Sequence, residues 1–136
     1  MSAVTPAHIK STSQNHFQLQ ADSPAAMAAT NQYYLRRTIA MLQLRLGRFE
    51  ESLAQIDFAF ANPPTGASRS RLLLLRALDL VRLGRPADAR ATFDKAEARL
   101  KSRLLGTLSE REGFLNHDER TDLVLRREAQ ALVGLK

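Results

Sequence analysis

A chain of 136 residues with 44% hydrophobic side chains has the size and apolar content of one domain with its own core. Cysteine is absent, which removes disulfides and thiol chemistry and leans towards a reducing compartment; tryptophan is absent too, so leucine and alanine must carry the core. The net charge of +6 rests on 16 arginines and four lysines, and residues 69–136 hold 15 of these 20 cations against 10 acids, a balance that suits acidic partners, nucleic acid or anionic lipid but also an ordinary solvated surface.

Residues 1–28 are rich in Ser, Thr, Gln, Ala and Pro, with Ile9, Phe17 and Leu19 at no helical spacing. They are expected to form a mostly disordered leader, with docking on the chain's own groove or a neighbour's as the alternative role. Lys10 is the only basic residue before Ala28, no apolar stretch follows it, and apolar runs such as Leu72 to Leu75 are far too short to span a bilayer. A soluble cytoplasmic protein is the expectation.

A first hairpin is predicted over residues 30–62. Thr30 or Asn31 caps a helix through Tyr34, Leu35, Ile39, Leu42 and Leu46, and Gly47 stops it by accepting a left-handed conformation. Glu50 and Glu51 then favour the start of a second helix, in which Phe49, Leu53, Ile56 and Phe60 form one stripe before Asn62-Pro63-Pro64-Thr65-Gly66 ends it.

A second hairpin is predicted over 68–104. Ser68 or Ser70 caps a third helix whose run from Leu72 to Leu83 is apolar around most of its circumference, so neighbours must cover it on more than one side. Gly84 is its stop, Pro86 and Asp88 suit the start of a fourth helix, and Ala89, Phe93, Ala96 and Leu100 face inward, with Glu97 and Lys101 able to pair outside. Gly106, Gly113 and Asn116 predict a loop over 105–117, with a short helix around Leu108 to Arg111. A capping helix follows over 118–134, from Asp118 to Gly134, burying Leu123, Leu125, Ala129, Leu132 and Val133.

The two hairpins repeat one another. Leu44 to Leu53 reads Leu-Arg-Leu-Gly-Arg-Phe-Glu-Glu-Ser-Leu, and Val81 to Arg90, 37 residues on, reads Val-Arg-Leu-Gly-Arg-Pro-Ala-Asp-Ala-Arg. With Tyr33 opening the first unit, small or bulky positions fall on Ala40, Gly47, Phe49, Ser52, Ile56, Ala59 and Pro64; with Ser70 opening the second, they fall on Ala77, Gly84, Ala89, Phe93 and Ala96. This pattern resembles the tetratricopeptide repeat (TPR), a 34-residue helical hairpin. It departs from that family at Arg36 and Leu73, where a tryptophan is usual, at Ser52 for alanine, and at Pro86 for an aromatic residue. The resemblance implies an all-α fold of antiparallel helical hairpins stacked as a short right-handed solenoid with a C-terminal capping helix. The span from Tyr34 to the end, and especially the stretch from Asp118 to Gly134 with its Leu125-Arg-Arg-Glu-Ala129, is also similar to the C-terminal repeat tails of large bacterial serine/threonine kinase-like and WD-repeat proteins. No glycine-rich phosphate loop, His-Arg-Asp or Asp-Phe-Gly motif accompanies it.

Catalytic and metal chemistry find little purchase. His8, His16 and His117 have no ligating neighbour three or four residues away, and Ser109, His117 and Asp118 share one short segment without a strand-turn-helix setting. The adjacent acids Glu50 and Glu51, or Asp118 and Glu119, point about 100° apart on a helix and cannot flank one bond. No cofactor, metal or catalytic residue is expected.

The TPR resemblance implies instead a partner-binding groove on the first helix of each hairpin: Tyr34, Arg37, Met41, Leu44 and Arg45, then Arg71, Leu74, Leu78, Val81 and Arg82. Arginine forks grip carboxylates and neighbouring Leu or Met bury an apolar anchor, so an acidic, leucine-containing peptide suits it. The family's chaperone-tail clamp is excluded because Met41, Leu75 and Arg37 replace its asparagine and lysine set. The expected function is a non-catalytic protein–protein interaction scaffold, self-associating through the apolar third helix or binding a peptide or partner helix. The alternative is a nucleic-acid-binding protein using Arg82, Arg85, Arg90, Arg126 and Arg127.

Overall fold

A computed structural model describes residues 23–64, 68–111 and 117–134. Among these residues the chain forms five helices and no strand: α1 (Pro24–Arg45), α2 (Phe49–Ala61), α3 (Ser70–Arg82), α4 (Pro86–Arg111) and α5 (His117–Val133). Residues 1–22, 65–67, 112–116 and 135–136, which take in most of the expected leader and parts of the expected loops, lie outside the described residues.

The Leu-Gly-Arg repeat is a structural repeat at the level of single hydrogen bonds. At the end of α1, the Arg48 N–H donates to the Gln43 carbonyl at 2.8 Å and the Gly47 N–H to Leu44 at 3.1 Å; at the end of α3, Arg85 donates to Leu80 at 2.9 Å and Gly84 to Val81 at 3.1 Å. Both pairs have the spacing of a Schellman stop, which requires a left-handed residue after the helix. Gly47 and Gly84 supply it, at φ +80° and +77°. Each turn delivers the chain straight into the next helix, so α1 packs on α2 and α3 on α4.

Two helix boundaries differ from the sequence expectation. α1 begins at Pro24, not at Thr30 or Asn31: the Ser23 hydroxyl accepts the Ala26 N–H at 3.1 Å, and Pro24 occupies the first turn. A serine cap followed by proline and a run of alanine and methionine is a helix start in its own right, so residues 24–28 of the expected leader are helical. α4 runs unbroken through Gly106 to Arg111. One glycine costs a helix about 1 kcal/mol, which strong helix formers on both sides absorb.

α3 is the centre of the molecule, packed against α1, α2, α4 and α5. Every residue from Ser70 to Leu80 is buried except Arg76, which is half-buried, as an all-round apolar helix requires. Small side chains let the helices approach closely: Ala40, Ser52, Ala59, Ala77, Ala89 and Ala96 are all fully enclosed. On α2 this centres the buried face on Ser52, Ile56 and Ala59; Phe49, Leu53 and Phe60 pack half-buried at its edge.

Candidate interaction surface

α5 decides what remains of the expected groove. Its Asp122 carboxylate accepts a hydrogen bond from Arg71 Nε at 2.8 Å, and both side chains are buried. One turn past Leu125, Glu128 accepts two bonds from the Arg45 guanidinium, at 2.6 and 2.8 Å. On the opposite flank Arg126 makes a bidentate pair with Glu97 of α4. Between these pairs Leu125, Ala129 and Val133 are buried at spacings of four, so α5 lies apolar side down across α3, with charged pins on either side.

The groove residues therefore have three fates. Leu44, Leu74 and Leu78 belong to the core, and Arg71 is consumed by Asp122, so these four are withdrawn from any partner. The reason is periodicity: Leu74, Leu75 and Leu78 stand three, four and seven residues after Arg71, on the face that α5 covers. Met41 and Val81 pack half-buried against the core. Tyr34, Arg45 and Arg82 are exposed and Arg37 is half-buried. Tyr34 stands edge-on to Tyr33 with ring centroids 5.0 Å apart, and Arg37 lies over its ring at 4.9 Å. The surface left open is thus the Tyr34, Arg37, Met41 stretch of α1, continued by Arg45 and Arg82 beside Glu128.

Electrostatics strengthen the pins. The hydrogen bond from Arg45 holds the Glu128 carboxyl below the ordinary carboxylate range, against the effect of partial burial, and the charges of Arg45 and Arg82 act in the same direction. Glu97 is held low in the same way by Arg126. Three of the five arginines of the basic half considered for phosphate contact are engaged with acids: Arg85 with Asp88, Arg90 with Asp94 and Arg126 with Glu97.

Sequence reading missed two features. A concavity of about 510 Å³ opens where α2 and α4 fail to meet; Phe60, Leu73 and Leu80 form its apolar lining, and Arg76, Arg85 and Lys95 stand at its edge. Arg76 is paired with Asp57 at 2.7 Å and Arg85 with Asp88. The other feature is Asp79, a fully buried acid whose carboxyl is pushed up to about 7 by burial, with the Ser52 hydrogen bond opposing the rise. The Ser52 hydroxyl lies 3.0 Å from the Ala40 carbonyl and 2.5 Å from Asp79 Oδ2. A hydroxyl has one proton, so both contacts are hydrogen bonds only when Asp79 is protonated and donates to Ser52. An acid flanked by Ala77, Leu78, Leu80 and Val81 on a helix that is apolar around most of its circumference is the signal that marks it in the sequence.

Among the described residues no three His, Cys, Asp or Glu side chains gather as a metal site, and no helix is long and apolar enough to cross a membrane. The side chains of Ser109, His117 and Asp118, like His8 and His16, lie outside the described residues. No family model, curated protein or solved structure matches the chain.

Proposed function

We propose that this chain is a TPR-like, non-catalytic scaffold for protein–protein interaction in the cytoplasm: two antiparallel hairpins, α1–α2 and α3–α4, stacked as a short solenoid and capped by α5. The repeated Schellman stops and the enclosed small residues at Ala40, Ser52, Ala59, Ala77, Ala89 and Ala96 support the repeat reading. The observation that carries the function is the seating of α5, in which Arg45 and Arg71 hold Glu128 and Asp122 on either side of a buried leucine. The arginine face already holds two carboxylates and a buried leucine of an amphipathic helix within its own chain, and the ligand proposed for its open stretch at Tyr34, Arg37 and Met41 offers the same groups.

Affinity capture from native lysate tests this, with the wild type beside an Arg37→Glu, Arg45→Glu variant of unchanged helicity. A partner retained by the wild type and lost by the variant is the expected result. Identical capture by the two proteins, or capture by neither, contradicts the reading.

A further inference from the structure

The outer face of α1 carries a second apolar stripe that the other described helices leave uncovered. Tyr33, Ala40 and Leu44 face the core, whereas Leu35, Leu42 and Leu46 are 52%, 58% and 70% exposed on the other side, with Ile39 half-buried between them. The order Leu35, Ile39, Leu42, Leu46 has spacings of four, three and four, the heptad seam by which helices pair side by side. Among the described residues no other helix has such an exposed run: α2 exposes Phe58 and α5 exposes Val124 as single large apolar side chains.

We infer that this seam pairs with the same seam of a second copy, α1 against α1, in parallel. A heptad stripe is complementary to another of its kind; Ile39 and Leu46 fall at a and Leu35 and Leu42 at d, and the β-branched Ile39 between d-position leucines suits two parallel strands. Charge is cleared from the seam despite the net +6 of the chain. α1 contains no acid, and its three arginines are held elsewhere: Arg36 over the Phe58 ring at 4.5 Å, Arg37 over Tyr34, and Arg45 on Glu128. In the parallel register the flanking pairs are Asn31 with Arg36 and Thr38 with Gln43 of the other copy, so no like charges meet. The eight seam and flanking residues bury about 280 Å² per copy at about 35 Å² per interface residue, about a third of a standard interface, so the dimer is weak and concentration-dependent. The apolar third helix is not the self-association surface, because the other four helices already enclose it.

This inference rests on the self-association side of the scaffold reading, and the test separates the two. Light scattering of the full chain from about 10 μM to about 1 mM, the range of weak interfaces, is expected to show the mass rising from 15.2 kDa towards twice that value. Leu42→Glu, at an exposed position, keeps its helicity and stays at 15.2 kDa throughout. It leaves Arg37 and Arg45 intact, so it still captures an acidic partner if the scaffold reading holds. Since the chain has no cysteine, Leu42→Cys adds a geometric readout: it forms an intermolecular disulfide on the two-fold axis of a parallel pair, and Ala98→Cys on exposed α4 does not. A wild type fixed at 15.2 kDa over the whole range overturns the inference, as does assembly of Leu42→Glu equal to wild type or equal cross-linking at positions 42 and 98.

Discussion

α1 and α3 both stop at a Schellman glycine and lead directly into the next helix, yet one is enclosed and the other is half open. α3 has neighbours on every side, so its leucines, Arg71 and Asp79 are all drawn into the interior. Among the described residues α1 packs only against α2 and α3 and turns Leu35, Leu42 and Leu46 to solvent. The same kind of sequence is core where helices surround it and solvent-facing where they do not. The number of packed neighbours, more than residue type, sets the role of each leucine.

The sharpest way to break this contrast is to place charge on each helix. Leu74→Asp or Leu78→Asp buries an unpaired carboxylate and is expected to cost more than about 4 kcal/mol, enough to leave the chain unfolded by circular dichroism, whereas Leu42→Asp stays within about 0.5 kcal/mol of wild type. Equal costs in urea titrations at the three positions refute the assignment of inside and outside.

Asp79 gives the next largest effect. Its folded value of about 7 stands above the ordinary 3.8, so the folded state holds a proton that the unfolded state releases. Stability is therefore full below about pH 4 and falls as pH rises towards 7, by up to about 4 kcal/mol, because each tenfold gain in proton affinity on folding is worth about 1.4 kcal/mol. Asp79→Asn, which keeps a neutral donor towards Ser52, is expected to flatten this part of the pH profile. Urea midpoints measured at pH 4.5 and pH 7.5 check it, and an unchanged slope with pH counts against a buried acid in α3.

Smaller effects sharpen the likeness between the two helices. Gly47→Ala and Gly84→Ala each force an L-residue into the left-handed region and are expected to cost about 1–2 kcal/mol; an added Cβ has nothing within 4 Å at either site, so the costs should be alike. A large difference between the two midpoints argues against equivalent turns. Smallest is the Arg45 and Glu128 pair, whose partly exposed side chains place it at about 0.2–1 kcal/mol in a double-mutant cycle. Its loss should loosen α5 without unfolding α3.

What can be read from the sequence alone follows the range of the interactions. The glycine stops, the Pro-Pro break after α2 and the need to cover α3 are local signals, and the helices form where they point. The start of α1 at Ser23 is also local, but the alanine-rich stretch after Pro24 blends in composition with the polar segment before it. The groove is harder to read because its outcome depends on contacts between distant parts of the chain. Arg71 meets Asp122 51 residues away and Arg45 meets Glu128 83 residues away, and no periodicity in α1 or α3 announces either partner. The heptad order of Leu35, Ile39, Leu42 and Leu46 is visible in the sequence, yet without knowing which face of α1 meets α2 it cannot be told from core.

The contrast between the two helices is tested most directly by amide hydrogen exchange on the full chain at low and high concentration. Amides of α3 are expected to be the slowest in the molecule and indifferent to concentration, while those of α1 around Leu35 to Leu46 slow as concentration rises. Exchange in α3 as fast as in α1, or an α1 whose protection is the same at both concentrations, contradicts the account.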